Sequence, residues 1–148
     1  MIFHKAIATV FGIGYLPRGG GSAAAAVYCL VWFFLPSWFF TFAILFIIVI
    51  VTIGVWSASK VERMWGIDSG KVVIDEVAGM MISLFFIPVS VKYAVFAFIV
   101  FRFFDILKPF GIRKLENLPS GWGVMADDVL SGIYTWALLR TCIWFKIF

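Results

Sequence analysis

A long run without any charged side chain, residues 39–57, is the feature that most limits how this chain can fold. About 20 apolar residues in a helix cross the hydrocarbon of a bilayer, and a helix pairs its backbone polar groups internally. The whole chain is 64% hydrophobic and 14% charged, whereas a soluble domain is about half apolar and a quarter charged. The sequence therefore predicts an integral membrane protein made of helices.

Four further apolar segments are separated from this run by prolines, glycines or charged residues. The segments expected to form hydrophobic helices are 22–35, 39–57, 72–87, 93–107 and 129–145. Residues 36–38 connect the first two, and a polar loop covers 108–126. The fold class is thus all-α, a polytopic membrane bundle of about five hydrophobic helices, with one domain over residues 1–148.

A glycine-rich segment precedes the first of these helices. Residues 1–21 contain five glycines and Pro17, which argues against one continuous helix and favours a short amphipathic piece followed by a loop. Glycines let backbone N–H groups approach an oxyanion closely. A flexible entry to the first helix explains the same composition, and both interpretations stay open.

The distribution of cations predicts the orientation in the membrane. Cytoplasmic loops of membrane proteins are enriched in Lys and Arg. With the N-terminus in the cytoplasm, the opposite side receives only Lys92 and Lys146. The cytoplasmic side then receives Lys5, Arg18, Lys60, Arg63, Lys71, Lys108, Arg113 and Lys114.

This orientation brings charged residues that are distant in sequence to one membrane depth. Two acids start the third segment, an arginine and an acid end the fourth, and two acids open the fifth. Because successive segments alternate in direction, all six should lie at the cytoplasmic end of the bundle. They are Asp75, Glu76, Arg102, Asp105, Asp127 and Asp128.

Crowded carboxylates in a low dielectric repel one another unless a cation lies between them. Oxygen ligands suit Mg²⁺, with Mn²⁺ as the alternative ion. The candidate metal ligands are Asp75, Glu76, Asp105, Asp127 and Asp128. A simpler alternative is that Asp75 and Asp127 are N-terminal caps of their helices. That alternative accounts for one acid per helix but not for adjacent pairs.

The nearby cations suit an anionic substrate. Arg102 and Asp105 are three residues apart and share a helix face, with Lys108 about one turn further. Arg102, Lys108 and Arg113 are the candidate phosphate-binding residues. The alternatives are an ion pair for Arg102, and membrane topology for Arg113.

His4 is the only histidine, which disfavours a phosphohistidine route. The remaining mechanism is attack by metal-activated water, with Asp105, Lys108, Asp127 and Asp128 as catalytic candidates.

Three blocks of sequence resemble the phosphatidylglycerophosphatase A family. They are VVIDEVAGM at 72–80, FRFFDILKPFGIR at 101–113 and GWGVMADDVLSGI at 121–133. The resemblance implies a Mg²⁺-dependent phosphatase of the bacterial inner membrane. Together with the predicted spans and cation distribution, this predicts a multi-pass enzyme whose active site faces the cytoplasm. Its substrate would be phosphatidylglycerophosphate and its product phosphatidylglycerol. Matching by motif also assigns a possible accessory role to Asp68.

The chain departs from the family pattern at two places. The stretch PRGGGS at 17–22 lacks the threonine of the family's glycine loop, and Gly111 replaces a proline. The first departure removes the threonine hydroxyl from this loop.

Two other functions remain as alternatives. One is a CDP-alcohol phosphotransferase, which also uses clustered aspartates and Mg²⁺. The other is a non-catalytic small cation transporter or scaffold, although a transporter should carry ionisable groups near mid-span. The sequence contains no run of basic residues, so nucleic-acid binding is not expected. The expected partners are the lipid substrate and the bilayer, and a monomer or a homodimer could close the site.

Overall fold

The computed structural model describes residues 1–148 and consists of helices and their connections. The helices are α1 (Ile2–Ala8), α2 (Gly20–Trp32), α3 (Ser37–Thr41), α4 (Ala43–Trp65), α5 (Ile74–Ser83), α6 (Val91–Leu107), α7 (Ile112–Leu115) and α8 (Gly121–Trp144). A 3-10 turn at Ile13–Tyr15 lies between α1 and α2. The all-helical prediction is confirmed, as is a short helix followed by a glycine-rich connection at the N-terminus.

The helices end where the sequence supplies residues that leave helical geometry. Gly66, which follows α4, has φ +86°, a value that glycine adopts without steric cost. Lys108, which follows α6, has φ +48° and precedes Pro109. Proline has no N–H to continue the helix, so α6 stops here. The chain therefore turns away from the axis of α6 at Lys108.

Only α4 is both long enough and apolar enough to cross a membrane, with a mean hydropathy of 2.2 in its most apolar window. α2 is apolar but shorter. α5 has 10 residues, which at 1.5 Å per residue is about half of the ~30 Å hydrocarbon thickness. The prediction of five membrane spans is therefore not confirmed, although helices occupy all five segments.

Several predicted boundaries differ from the structure. α4 continues to Trp65, beyond the predicted end at residue 57, because the following residues are good helix formers. The connection 36–38 is extended by α3. The predicted loop 108–126 contains α7 and the first residues of α8, which starts at Gly121 rather than at Asp127.

The contact between α5 and α8 organises the bundle. A Cβ on Gly132 would collide with the backbone of Gly79, so the two helices approach each other as closely as glycine allows. Asp75 precedes Gly79 by one turn, and Asp128 precedes Gly132 by one turn. The glycine contact therefore sets these two aspartates beside each other at one end of the helix pair.

Two apolar clusters surround this pair. Trp32, Met80, Phe101 and Leu139 are buried where α2, α5, α6 and α8 meet. A second cluster includes Ala8, Val61, Ile74 and Met125 and joins α1 and α4 to the other face. Helices α2, α5 and α8 run away from the charged end, whereas α4 and α6 run towards it. The polar ends of five helices are thus gathered on one side of the molecule.

Candidate active site

Acidic residues from α5 and α8 form the centre of the charged end. Asp75 and Glu76 are in the first turn of α5. Asp127 and Asp128 lie about two turns inside α8, whose first turn contains no acid. Asp127 is therefore not an N-terminal cap, which removes the simpler alternative for that residue. Neither helix has a side-chain cap at its N-terminus.

Three of these carboxylates form a compact group. One oxygen from each of Asp75, Glu76 and Asp128 lies within 4.8 Å of the others. Asp75 and Asp128 are 8% and 2% exposed. One buried oxygen on each of the three has no hydrogen-bond partner: Asp75 Oδ1, Glu76 Oε2 and Asp128 Oδ2. Buried polar atoms are normally paired, so these three carboxylates could hold a cation through their unpaired oxygens.

Arg102 connects this acidic group to α6. Its guanidinium pairs with Asp105, three residues later on the same helix, and lies 3.7 Å from Glu76 Oε1. The predicted face-sharing of Arg102 and Asp105 is confirmed. The Nε atom of Arg102 is buried without a partner, so the guanidinium retains a free donor beside the carboxylates.

Lys108 forms a second charged group next to the first. Its ammonium pairs with Asp127 and, at 2.5 Å, with Glu116 Oε1. Partial burial alone would lower the pKa of Lys108, but the ion pairs with Asp127 and Glu116 outweigh this and hold the pKa above its usual value. Lys108 is therefore protonated at neutral pH, and it supplies a fixed positive charge at the edge of the site.

The glycine-rich segment reaches the same place. A Cβ on Gly21 would overlap the carboxylate of Glu76 and would lie 3.3 Å from a guanidinium nitrogen of Arg102. The first backbone hydrogen bond of α2 runs from Ala23 to the carbonyl of Gly19 (2.9 Å). The amides of Gly20, Gly21 and Ser22 therefore have no backbone acceptor, and Gly21 itself lies against Arg102.

The structure brings most of the predicted site residues together but divides them into two groups. Asp75, Glu76 and Asp128 form the compact group, whereas Asp105 and Asp127 each pair with a cation. Asp68 is exposed in the turn before α5, and Arg113 is exposed on α7. No ion pair or hydrogen bond joins either of them to the cluster.

Sequence reasoning missed two contributors to the site. Glu116 was not among the predicted site residues, although it holds Lys108. Glu116 follows Lys108 by eight residues, and Pro109 and Gly111 lie between them. No helical periodicity therefore predicted this contact. Gly21 belongs to the glycine-rich segment, which was interpreted either as a loop that approaches an oxyanion or as a flexible entry to the first helix. The contact of Gly21 with Glu76 and Arg102 indicates that it belongs to the site. Composition alone does not distinguish it from the neighbouring glycines.

A comparison with protein families matches residues 6–143 to the model described as phosphatidylglycerophosphatase A. This match covers nearly the whole chain. The chain belongs to the phosphatidylglycerophosphatase A family. The resemblance inferred from the three sequence blocks is thereby confirmed, and the protein is a phosphatase. Membership disfavours both the phosphotransferase and the transporter alternatives.

Curated relatives of this family member carry two different names. A putative phosphatidylinositol-3-phosphatase of Bacteroides thetaiotaomicron is 40% identical over 93% of this chain and 92% of the relative. The phosphatidylglycerophosphatase A of Escherichia coli is 31% identical over 90% of this chain and 79% of the relative. That of Haemophilus influenzae is 46% identical over 55% of this chain and 52% of the relative. No solved structure matches the chain.

Proposed function

We propose that this protein is a Mg²⁺-dependent lipid phosphatase that removes the terminal phosphate of phosphatidylglycerophosphate to give phosphatidylglycerol. The observation that carries the proposal is a group of three carboxylates, Asp75, Glu76 and Asp128, each with a buried unpaired oxygen, beside Arg102. A phosphate monoester needs both positive charge and a positioned water for hydrolysis. This end of the bundle offers residues for each task.

The carboxylate group fits a hard divalent ion. Mg²⁺ prefers oxygen ligands and usually binds through one or two carboxylates together with waters and substrate phosphate. Asp75, Glu76 and Asp128 would hold the ion through their unpaired oxygens, with Mn²⁺ as an alternative. When bound, such an ion polarises the phosphoryl group and makes a neighbouring water more acidic.

Arg102, Lys108 and the free amides at the start of α2 would bind the phosphate. Arg102 has a buried donor to offer, and a guanidinium binds phosphate oxygens in a fork geometry. Lys108 adds a point charge whose position is fixed by Asp127 and Glu116. The amides of Gly20 and Gly21 add donors at the positive end of a helix dipole.

Hydrolysis then requires in-line attack of water on phosphorus. The water oxygen forms a bond to phosphorus while the bond between phosphorus and the glycerol oxygen breaks. The proton released by water would go to Asp105 or Asp127, the acids outside the compact group, and the glycerol oxygen would leave as the alcohol by taking up a proton from solvent water. The positive charges of Arg102 and Lys108 stabilise the negative charge that develops on the phosphoryl oxygens.

The surface of the molecule supports a membrane location. Large apolar side chains along the bundle are more than half exposed, including Leu30, Ile48, Val95 and Ile99. Such an extended apolar surface is unusual for a soluble monomer. The cations near the charged end, among them Lys60 and Lys114, support a cytoplasmic position for that end by the positive-inside rule.

A phosphatidylinositol 3-phosphatase is the second candidate, because the relative from Bacteroides thetaiotaomicron, 40% identical, carries the name of a putative enzyme of that kind. Both candidate substrates are phosphate monoesters on a lipid headgroup. The charged site described above would serve either one. The difference between them must lie in contacts to glycerol or to inositol.

A phosphate-release assay on both lipids tests the proposal. We expect the purified protein to hydrolyse phosphatidylglycerophosphate with Mg²⁺, to lose activity with EDTA and to recover it with added Mg²⁺. Phosphatidylinositol 3-phosphate should be the poorer substrate. Equal rates with and without EDTA would overturn the metal assignment. Faster hydrolysis of the inositol lipid would favour the second candidate.

The glycine at the start of α2 provides a structural test of the same site. Gly21→Ala should lower kcat by about 10-fold or more, because its Cβ would displace the Glu76 carboxylate and crowd Arg102. Gly20→Ala is the matched control, since alanine keeps the backbone amide and its Cβ would be 3.4 Å or more from every neighbour. Alanine favours a helix over glycine by about 1 kcal/mol, so neither change should weaken α2. Equal activity of the two variants would separate Gly21 from the site.

A further inference from the structure

We propose that the groove between α2 and α6 binds one acyl chain of the lipid substrate and so positions its phosphate. The inference rests on the proposed function and adds the binding site for the apolar part of the substrate. The groove has a volume of about 430 Å³, and every residue that lines it is apolar. Its lining is Ala26, Cys29, Leu30, Phe33, Val91, Ala94, Val95 and Phe98.

The shape of the groove suits a flexible hydrocarbon chain. Its floor contains small buried side chains, with Ala94 4% and Cys29 9% exposed. Its rims are larger side chains that are mostly exposed, with Leu30 at 63% and Val95 at 52%. A chain lying there would contact apolar atoms below and on both sides, and it could enter sideways from the hydrocarbon of a bilayer.

The groove leads to the charged site along both of its helices. On α6 the lining residues follow one stripe that ends at Phe98, and the next position of that stripe is Arg102, one turn further. On α2 the stripe ends at Ala26, and one turn earlier lies Ser22, in the helix's first turn. Gly21 lies against Arg102. When the phosphate of a lipid contacts Arg102, the apolar groove therefore begins about one helical turn away.

A second apolar groove lies between α4 and α8, and it fits this role less well. Its volume is about 290 Å³, and Leu115 and Trp122 form its wall near the charged end. Trp122 is in the first turn of α8. On α8 the acids next to its lining residues in sequence are Asp127 and Asp128, and Asp127 pairs with Lys108. The groove between α2 and α6 instead ends at an arginine with a free buried donor.

Photocrosslinking of the substrate tests the proposal without requiring turnover. The probe is a phosphatidylglycerophosphate analogue with a diazirine in the middle of one acyl chain, added to the full chain in detergent micelles with EDTA. We expect the crosslinked peptides to come from α2 and α6, with competition by unlabelled phosphatidylglycerophosphate. Crosslinks concentrated on α4 and α8, or spread evenly over all exposed helices, would overturn the proposal.

Filling the groove provides the kinetic counterpart. For Ala94→Phe and Cys29→Phe we expect kcat/KM for the long-chain lipid to fall about 10-fold or more, because a displaced chain misplaces the phosphate. Activity on a dibutanoyl analogue, which barely enters the groove, should change less than about 2-fold. Val27→Phe is the matched control, since Val27 is 39% exposed on α2 and does not line the groove.

The outcomes separate this proposal from the proposed function. Equal losses on both substrates in the filled variants, or no loss on either, would contradict an acyl-chain site while leaving the phosphatase intact. Absence of hydrolysis of any lipid phosphate by the wild-type protein would contradict the proposed function instead. If a filled variant does not fold, the wild-type crosslinking pattern alone decides the proposal.

Discussion

Asp75→Asn and Asp128→Asn are each expected to lower kcat by about 10³-fold while the protein still folds. Each change removes a charged oxygen ligand from the group that would hold the metal ion, and losses of that size follow when one electrostatic contact to a transition state is removed. Amide and carboxylate side chains have nearly the same size. The substitution also removes one of three repelling charges, so the melting temperature without metal should stay equal or rise.

The matched control for these variants is Glu62→Gln, which changes an acid on α4 that lies outside the cluster and forms no ion pair. Its kcat should stay within about 2-fold of wild type, as expected for a surface substitution away from a site. Near-normal rates in both aspartate variants would remove Asp75 and Asp128 from the catalytic machinery. A loss of folded protein would instead point to a structural role.

Arg102→Lys has the second largest expected effect, a loss of about 10²-fold in kcat. Lysine keeps the positive charge beside Glu76 and Asp105, so the ion pairs that support the fold should persist. It loses the planar fork and the buried Nε donor that can bind two phosphate oxygens. Since the fork is most useful when charge builds up on the phosphoryl oxygens, the defect should appear in kcat more than in KM.

Arg140→Lys is the control for this change. Arg140 is an exposed arginine that donates to the carbonyl of Phe86, at the opposite end of the bundle from the charged cluster. Its rate should match wild type when both are measured by phosphate release at saturating substrate. An Arg102→Lys enzyme with an unchanged kcat would show that only the charge at this position matters, and not the guanidinium geometry.

The sequence predicted the helical class and the charged end of the bundle because both have strong local signals. The uncharged run at 39–57 required a helix, and the positions of Asp75, Arg102 and Asp127 at segment ends predicted their convergence. The structure confirms that these residues meet at one end. Their individual roles in metal binding and catalysis stay predictions.

Other features depended on three-dimensional packing and left little trace in the sequence. Which acids group together is set by the contact of Gly79 with Gly132, since that contact fixes the rotation of α5 against α8. The start of α8 at Gly121 could not be read from hydropathy, because Pro119 and the glycines at 121 and 123 are residues typical of a loop. The prediction of five membrane-crossing helices is also not confirmed, because α2 and α5 are too short for a full span.

The central claim is that Asp75, Glu76 and Asp128 hold a divalent cation. Titration of Mn²⁺ into the detergent-solubilised protein, followed by electron paramagnetic resonance, tests it most directly because free and bound Mn²⁺ give different signals. We expect saturable binding that Mg²⁺ competes away and that Asp75→Asn, Glu76→Gln and Asp128→Asn each abolish, whereas Glu62→Gln retains it. Equal Mn²⁺ binding by the wild-type protein and all three cluster variants would contradict it.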